Sequence, residues 1–135
     1  MPTLSSDLHE IIYVSTLASN ALAQVVADIA VKSRTNNRQA DITGLLVFDG
    51  LHFCQQLEGG AREVDAAMAR IRMDKRHSGM AVLHHGPLEK RRFGRFSLGY
   101  TSVEDIAQLE RLQLLTGQAA VDAFVDLLPG LDMDG

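Results

Sequence analysis

Tyr13, in "IIYVS", and Gln55, in "LHFCQQLEG", are the residues whose types and placement first suggest chemistry. In an alternating strand, Leu51, Phe53, Gln55 and Leu57 share one face, while His52, Cys54, Gln56 and Glu58 share the other. Gln55 is then a carboxamide among apolar neighbours, where an unpaired amide costs roughly 1–3 kcal/mol. Tyr13, grouped with Ile11 and Ser15 on one face of another strand, offers a phenol in return. A phenol and a carboxamide satisfy each other and leave the amide spare donor or acceptor capacity. The plainest outcome is a self-contained bond that fixes strand register. Asn36 and Asn37 add more amides near the same sheet edge, although asparagine pairs also end helices and make turns.

Other reactive side chains do not assemble. His52 and His77 are too far apart to read as a metal pair, and His84 and His85 point to opposite faces of a strand. The single cysteine, Cys54, excludes an intrachain disulfide or a CxxC metal site and reads as a small packing residue. Glu58, Glu63 and Asp65 lack a convincing nucleophile or second carboxylate. Gly59-Gly60 reads as the turn into a helix, without the sequence of a phosphate-binding loop. Lys32 and Arg34, late in the first helix, read most simply as solvated.

The elements that must position these residues follow from periodicity. "HEIIYVSTLA" alternates, predicting a strand over about 9–16, and "SNALAQVVADIAVKSR" then changes to a helical period with Ser19 as N-cap. Two strands flank the hairpin signal Asp49-Gly50; Ile42, Leu46 and Phe48 face one way, Leu45 and Val47 the other. "AREVDAAMARIRMDKRH" predicts a second helix with Val64, Ala67, Met68 and Ile71 as its apolar stripe. "MAVLHHG" and "GRFSLGYTS" read as strands four and five. The order β-α-β-β-α-β predicts an α+β, ferredoxin-like sandwich with a fifth strand. Both crossover helices should cover one sheet face. Two amphipathic helices between Glu104 and Leu128, split at Thr116-Gly117, then cap the other face or serve a dimer.

Composition narrows the class without naming it. A chain of 135 residues, 46% hydrophobic and 22% charged, fits one globular domain. A net charge of −4 gives no electrostatic reason to expect nucleic acid, and "KRRFGR" and "RIRMDKRH" read as solvated faces. The polar N-terminus, the lone cysteine and the lack of an apolar run near 20 residues predict a cytoplasmic protein without a membrane span.

In order and spacing, "IIYVS", "SRTNN", "ITGLLVFDGLHFCQQLEG", "IRMDKRH" and "RRFGRFSLGY" resemble a BLUF domain, a blue-light sensor that holds FAD. The resemblance spans about residues 9–102, with 103–128 as a helical extension like that of stand-alone members. It implies that Tyr13 is the photoactive tyrosine and Gln55 the switching glutamine. Asn37 would bond the flavin C4 carbonyl and N3 edge, with Asn36 beside it. Arg76 would lie near the C2 carbonyl, Arg70 and Asp74 would line or brace the ring, and Ile29 would touch it from the first helix. Where relatives often read Trp-Ser-Met-Gly, this chain has Phe96-Ser97-Leu98-Gly99. Signal relay would then fall to Phe96 and Leu98, which lack an indole donor and a thioether.

The resemblance further implies a receptor and not an enzyme. Excited flavin would draw an electron and a proton from Tyr13, Gln55 would relay the proton, and a changed hydrogen bond to the flavin would red-shift its spectrum. The output would go to a downstream signalling protein, with a homo-oligomer expected and no direct nucleic-acid or membrane partner. Two rivals stand beside this reading: a small flavin oxidoreductase, and a flavin-free ferredoxin-like interaction module with a Tyr–Gln bond in its core.

Overall fold

The computed structural model describes residues 8–18, 24–94, 99–102 and 106–127. The elements run β1 (Leu8–Leu17), α1 (Gln24–Gln39), β2 (Thr43–Phe48), β3 (His52–Gly60), α2 (Ala61–Arg72), β4 (His77–Pro87), β5 (Gly99–Ser102), α3 (Ile106–Leu112) and α4 (Gly117–Leu127). They build one five-stranded sheet in the order β4-β1-β3-β2-β5. The first four strands pair antiparallel, and β5 lies parallel to β2 at the edge. This is the ferredoxin-like arrangement with a fifth strand that the alternation predicts.

Because the strands are apolar on both sides, the sheet carries a core on each. On one face Ile11, Tyr13, Ile42 and Leu57 pack under Val64, Ala67 and Met68 of α2. A separate cluster on that face joins Ala30 and half-buried Ile29 of α1 to Leu46, Phe48 and Phe53. On the opposite face Ile12, Val14, Leu45, Val47 and Cys54 pack against Leu109, Leu112, Val121 and Phe124. Each fully buried side chain of that size stabilises the fold by about 1.5–3 kcal/mol. The tail helices thus cover the sheet face away from α1 and α2.

The β2–β3 hairpin closes as its Asp-Gly pair predicts. Gly50 takes φ 100°, and Asp49 Oδ1 accepts the backbone N–H of Leu51 at 2.9 Å and of His52 at 2.6 Å. Leu51, expected on the buried face, sits in this turn and is 42% exposed, because β3 begins only at His52.

Helix boundaries also differ from the periodic reading. α1 continues to Gln39, five residues beyond Arg34, so Asn36 and Asn37 lie in its last turn and do not terminate it. The chain leaves the helix at Asp41, whose φ of 57° is a left-handed conformation that aspartate tolerates. α2 stops at Arg72, short of His77, because Asp74 Oδ1 accepts the Arg76 backbone N–H at 3.0 Å and turns the chain. β4 therefore starts earlier than expected, at His77. The proposed N-cap Ser19 and the relay residues Phe96 and Leu98 lie outside the described residues.

Candidate functional site

The gap between the two clusters on the α1–α2 face is a cleft of about 410 Å³. Its size falls in the range of roughly 300–1,000 Å³ common for small-ligand sites. Asn36, Asn37 and Lys32 come to it from α1, Gln55 from β3, and Arg70 from α2. Asp74, Lys75 and Arg76 come from the turn after α2. A deeper, more apolar end is lined by Tyr13, Ile29, Leu46, Phe53 and His77, with Ser33, Gln55, Ile71 and Asp74 shared between the two parts. The cleft thus collects all eight binding residues expected from sequence: Tyr13, Ile29, Asn36, Asn37, Gln55, Arg70, Asp74 and Arg76.

At its floor Tyr13 and Gln55 face each other directly in the β1–β3 register. The Tyr13 hydroxyl donates to Gln55 Oε1. Both residues are buried, at 4% and 3% exposure. Burial pushes the Tyr13 phenol far above its ordinary value, with Cys54 and Asp74 adding in the same direction. Gln55 Nε2 is buried and has no hydrogen-bond partner among the described residues. An orphaned amide donor is costly, so a group that accepts from it is strongly favoured.

The cationic side of the cleft is pinned. Asp74 takes the Arg76 Nε–H at 2.9 Å and an Nη2–H at 2.6 Å, a two-point pair that aims the guanidinium. These hydrogen bonds from Arg76 hold the Asp74 carboxyl down to about 2. Arg76 is anchored through its backbone too, its carbonyl accepting the Ala18 N–H at 2.9 Å. Arg70 and Lys75 are exposed at the rim, as is Lys32.

Sequence reasoning weighed His77 only as a metal ligand, yet it buttresses the floor. Its Nε2 lies 2.7 Å from the Ile71 carbonyl and must donate there, while Nδ1 lies 2.9 Å from Ser15 Oγ. Its ring is 6.5 Å from that of Tyr13 and 6.4 Å from that of Phe53. No local pattern marks it, because the periodic reading places His77 inside the second helix, whereas it opens β4 and meets this site through the pairing of β4 with β1. Leu46 and Phe53, which alternation assigns to the core, also line the deep end.

Among the described residues, no helix is long and apolar enough to cross a membrane, and no group of three metal-ligating side chains occurs.

Comparison with known proteins agrees with this arrangement. The family model "BLUF: Sensors of blue-light using FAD" matches residues 8–99. The Escherichia coli K12 protein named blue light- and temperature-regulated antirepressor BluF is 30% identical over 106 residues, covering 75% of this chain and 26% of that protein. The photoactivated adenylate cyclase subunit alpha of Euglena gracilis is 27% identical over 120 residues, 87% of this chain. The chain spans only 12% of that cyclase subunit's length. Among solved structures, the dark state of the BLUF protein BlrB superposes with a TM-score of 0.73 at 29% identity, covering 82% of this chain and 87% of BlrB. The BlsA ground state gives 0.76 at 24% identity over 90% of this chain and 87% of BlsA, a likeness of fold. The matched region is a sensor module and not an enzyme: this chain belongs to the BLUF family, sensors of blue light that use FAD.

Proposed function

We propose that Tyr13 and Gln55 form the light-switched pair of this sensor, that the flavin ring occupies the α1–α2 cleft beside them, and that the switch is passed to a protein partner. The observation that carries the reading is the orphaned Gln55 Nε2, a buried donor at the wall of a cleft whose other lining is amide, cation and apolar side chain. Those residues fit FAD. Asn36 and Asn37 offer amides to a heterocycle edge that both donates and accepts, and Arg76, aimed by Asp74, suits a carbonyl oxygen. Ile29, Leu46 and Phe53 supply the apolar walls that a planar aromatic ring requires. Lys32, Arg70 and Lys75 at the rim suit a diphosphate.

FAD, when bound, supplies the visible absorption and an excited state that oxidises a phenol. The remaining work falls to the side chains. Tyr13 holds its proton in the dark and already points it at Gln55 Oε1, so that oxygen is the first acceptor when the phenol is oxidised. Gln55 has an acceptor at one end of its amide and a donor at the other. Exchanging the ends reverses what it offers to Tyr13 and to the cleft, which gives two networks from one side chain. Rotation and tautomerisation both produce that exchange, and isotope-edited infrared spectra of the Gln55 carbonyl distinguish them.

Relatives point to the class of output. Light regulation is named for both an antirepressor and cyclase subunits, so a module of this kind delivers its signal to an effector. Phe96 and Leu98 on the way to β5 remain candidates for the relay, together with the tail helices behind the sheet. The test is a purified chain loaded with FAD: a reversible red shift under blue light supports the proposal, and irreversible bleaching or no spectral change refutes it.

A further inference from the structure

Behind the sheet, on the face away from the cleft, three polar side chains are almost wholly excluded from solvent: Glu10 at 1% exposure, Gln56 at 0% and Glu58 at 0%. Gln56 spends both hydrogens of its amide there, reaching Glu10 Oε1 at 3.0 Å and Glu58 Oε1 at 2.9 Å. Turning that amide over would present its oxygen to two carboxylates, so it has one orientation. The backbone is equally confined. Gly44 of β2 approaches so closely that a Cβ there would stand 2.0 Å from the Gln56 carbonyl oxygen.

The two carboxylates hold the segment that follows β4. Glu58 accepts the backbone N–H groups of Arg92 at 2.8 Å and Phe93 at 2.9 Å, and the Thr43 hydroxyl at 2.6 Å. Glu10 accepts the Arg92 Nε–H at 2.8 Å, and His84 Nε2 lies 3.4 Å from its other oxygen. Arg91 reaches Thr43 Oγ1 at 2.8 Å and the Asp41 carbonyl at 2.9 Å. Within the run "KRRFGR", expected to be a solvated face, Arg91, Arg92 and Phe93 therefore form a docked strap, because buried carboxylates demand cationic and N–H donors. Phe93, beside Arg92, sets its ring edge-on to Phe124 of α4, with centroids 6.2 Å apart.

We infer that this network carries the light signal through the sheet: Gln56, the residue after Gln55, converts a displacement of β3 into release of the Arg92–Phe93 strap and of its contact with α4. The inference rests on the Tyr13–Gln55 switch proposed above. Charge-assisted hydrogen bonds are short and directional, and a buried carboxylate stripped of donors is strongly unfavourable. The network therefore moves as a unit or lets go where water can replace a partner. That place is Arg92, whose side chain is 32% exposed. Strap seated and strap released are two discrete states that both Gln55 and α4 can bias, which is what coupling between distant sites requires.

The test is amide hydrogen exchange on the FAD-loaded chain, in the dark and under blue light, with the visible difference spectrum recorded alongside. Light should raise exchange at the Arg92 and Phe93 amides at least threefold. Gln56→Met keeps length but cannot donate; it should red-shift normally while the light-to-dark exchange ratio at those amides falls to near one. Arg92→Gln alters the exposed end only and should raise dark exchange there to the lit value, which keeps the test alive if Gln56→Met does not fold. Wild-type ratios in either variant would overturn the relay. So would a wild type that red-shifts with no change at Arg92 and Phe93. A wild type with no red shift would instead overturn the switch itself, and the relay with it.

Discussion

Gln55 and Gln56 are consecutive in β3, yet their amides serve opposite faces of the sheet. Gln55 accepts from Tyr13 at the floor of the cleft, and Gln56 donates to Glu10 and Glu58 behind it. One strand alternation therefore sets an amide whose nitrogen is unpaired back to back with one whose two hydrogens are committed and whose oxygen is the unpaired atom. In the switch proposed above the first changes partners. The second, in the proposed relay, holds its place and passes on movement of the strand.

The Tyr13 environment makes a spectroscopic prediction. Burial raises the phenol's pKa well above its usual value near 10. A pKa raised on folding gives stability that is complete below about pH 10 and is lost as pH climbs toward the folded value. The chain has two tyrosines, so an absorbance titration of the folded protein should find Tyr13 silent through pH 10.5. In denaturant both should ionise. If Tyr13→Phe removes a tyrosinate signal below pH 10.5, the buried, proton-holding phenol is wrong.

Asp74 acts in the opposite sense. Its pairing with Arg76 lowers its pKa to about 2, against about 3.9 unfolded, so the pair's contribution is present above about pH 4 and disappears as pH falls through 2. FAD retention should accordingly be insensitive to this pair between pH 5 and pH 8. Asp74→Asn keeps the shape but frees the guanidinium, and should weaken FAD about tenfold, or about 1.4 kcal/mol. Fluorescence titration of FAD checks it; unchanged affinity would remove Arg76 from the binding set.

Much of this was legible in the sequence, for identifiable reasons. Alternation in "IIYVS" and "FCQQLE" fixed which side chains share a face, and two-sided apolar strands required helices on both sides. The cleft residues were legible from the ordered resemblance and not from spacing alone. Spacing by itself favours a self-contained Tyr–Gln bond over one that leaves a donor for a ligand. Helix ends were misread because Asn36-Asn37 mimics a terminator, whereas α1 ends at the left-handed Asp41. The strap was missed because burial of Glu10 and Glu58 depends on which residues the sheet and tail enclose, and no local pattern marks it. Charge runs look solvated until their buried counter-ions are placed.

Gly44 tests the closeness of β2 to β3 at Gln56. Its Cβ position, 2.0 Å from a backbone oxygen, cannot be relieved by a rotamer change. Gly44→Ala should destabilise the fold by about 2–3 kcal/mol, seen as a melting temperature lower by roughly 10 °C. A melting curve that superposes on wild type would mean that the strands are not so closely apposed.

The most direct measurement is the light-minus-dark absorption spectrum of Gln55→Leu loaded with FAD. Leucine fills the same space with neither donor nor acceptor, so the variant should hold the flavin, stay yellow and show no reversible red shift under blue light. A shift of wild-type size and recovery in Gln55→Leu would contradict the assignment of the switch to this amide.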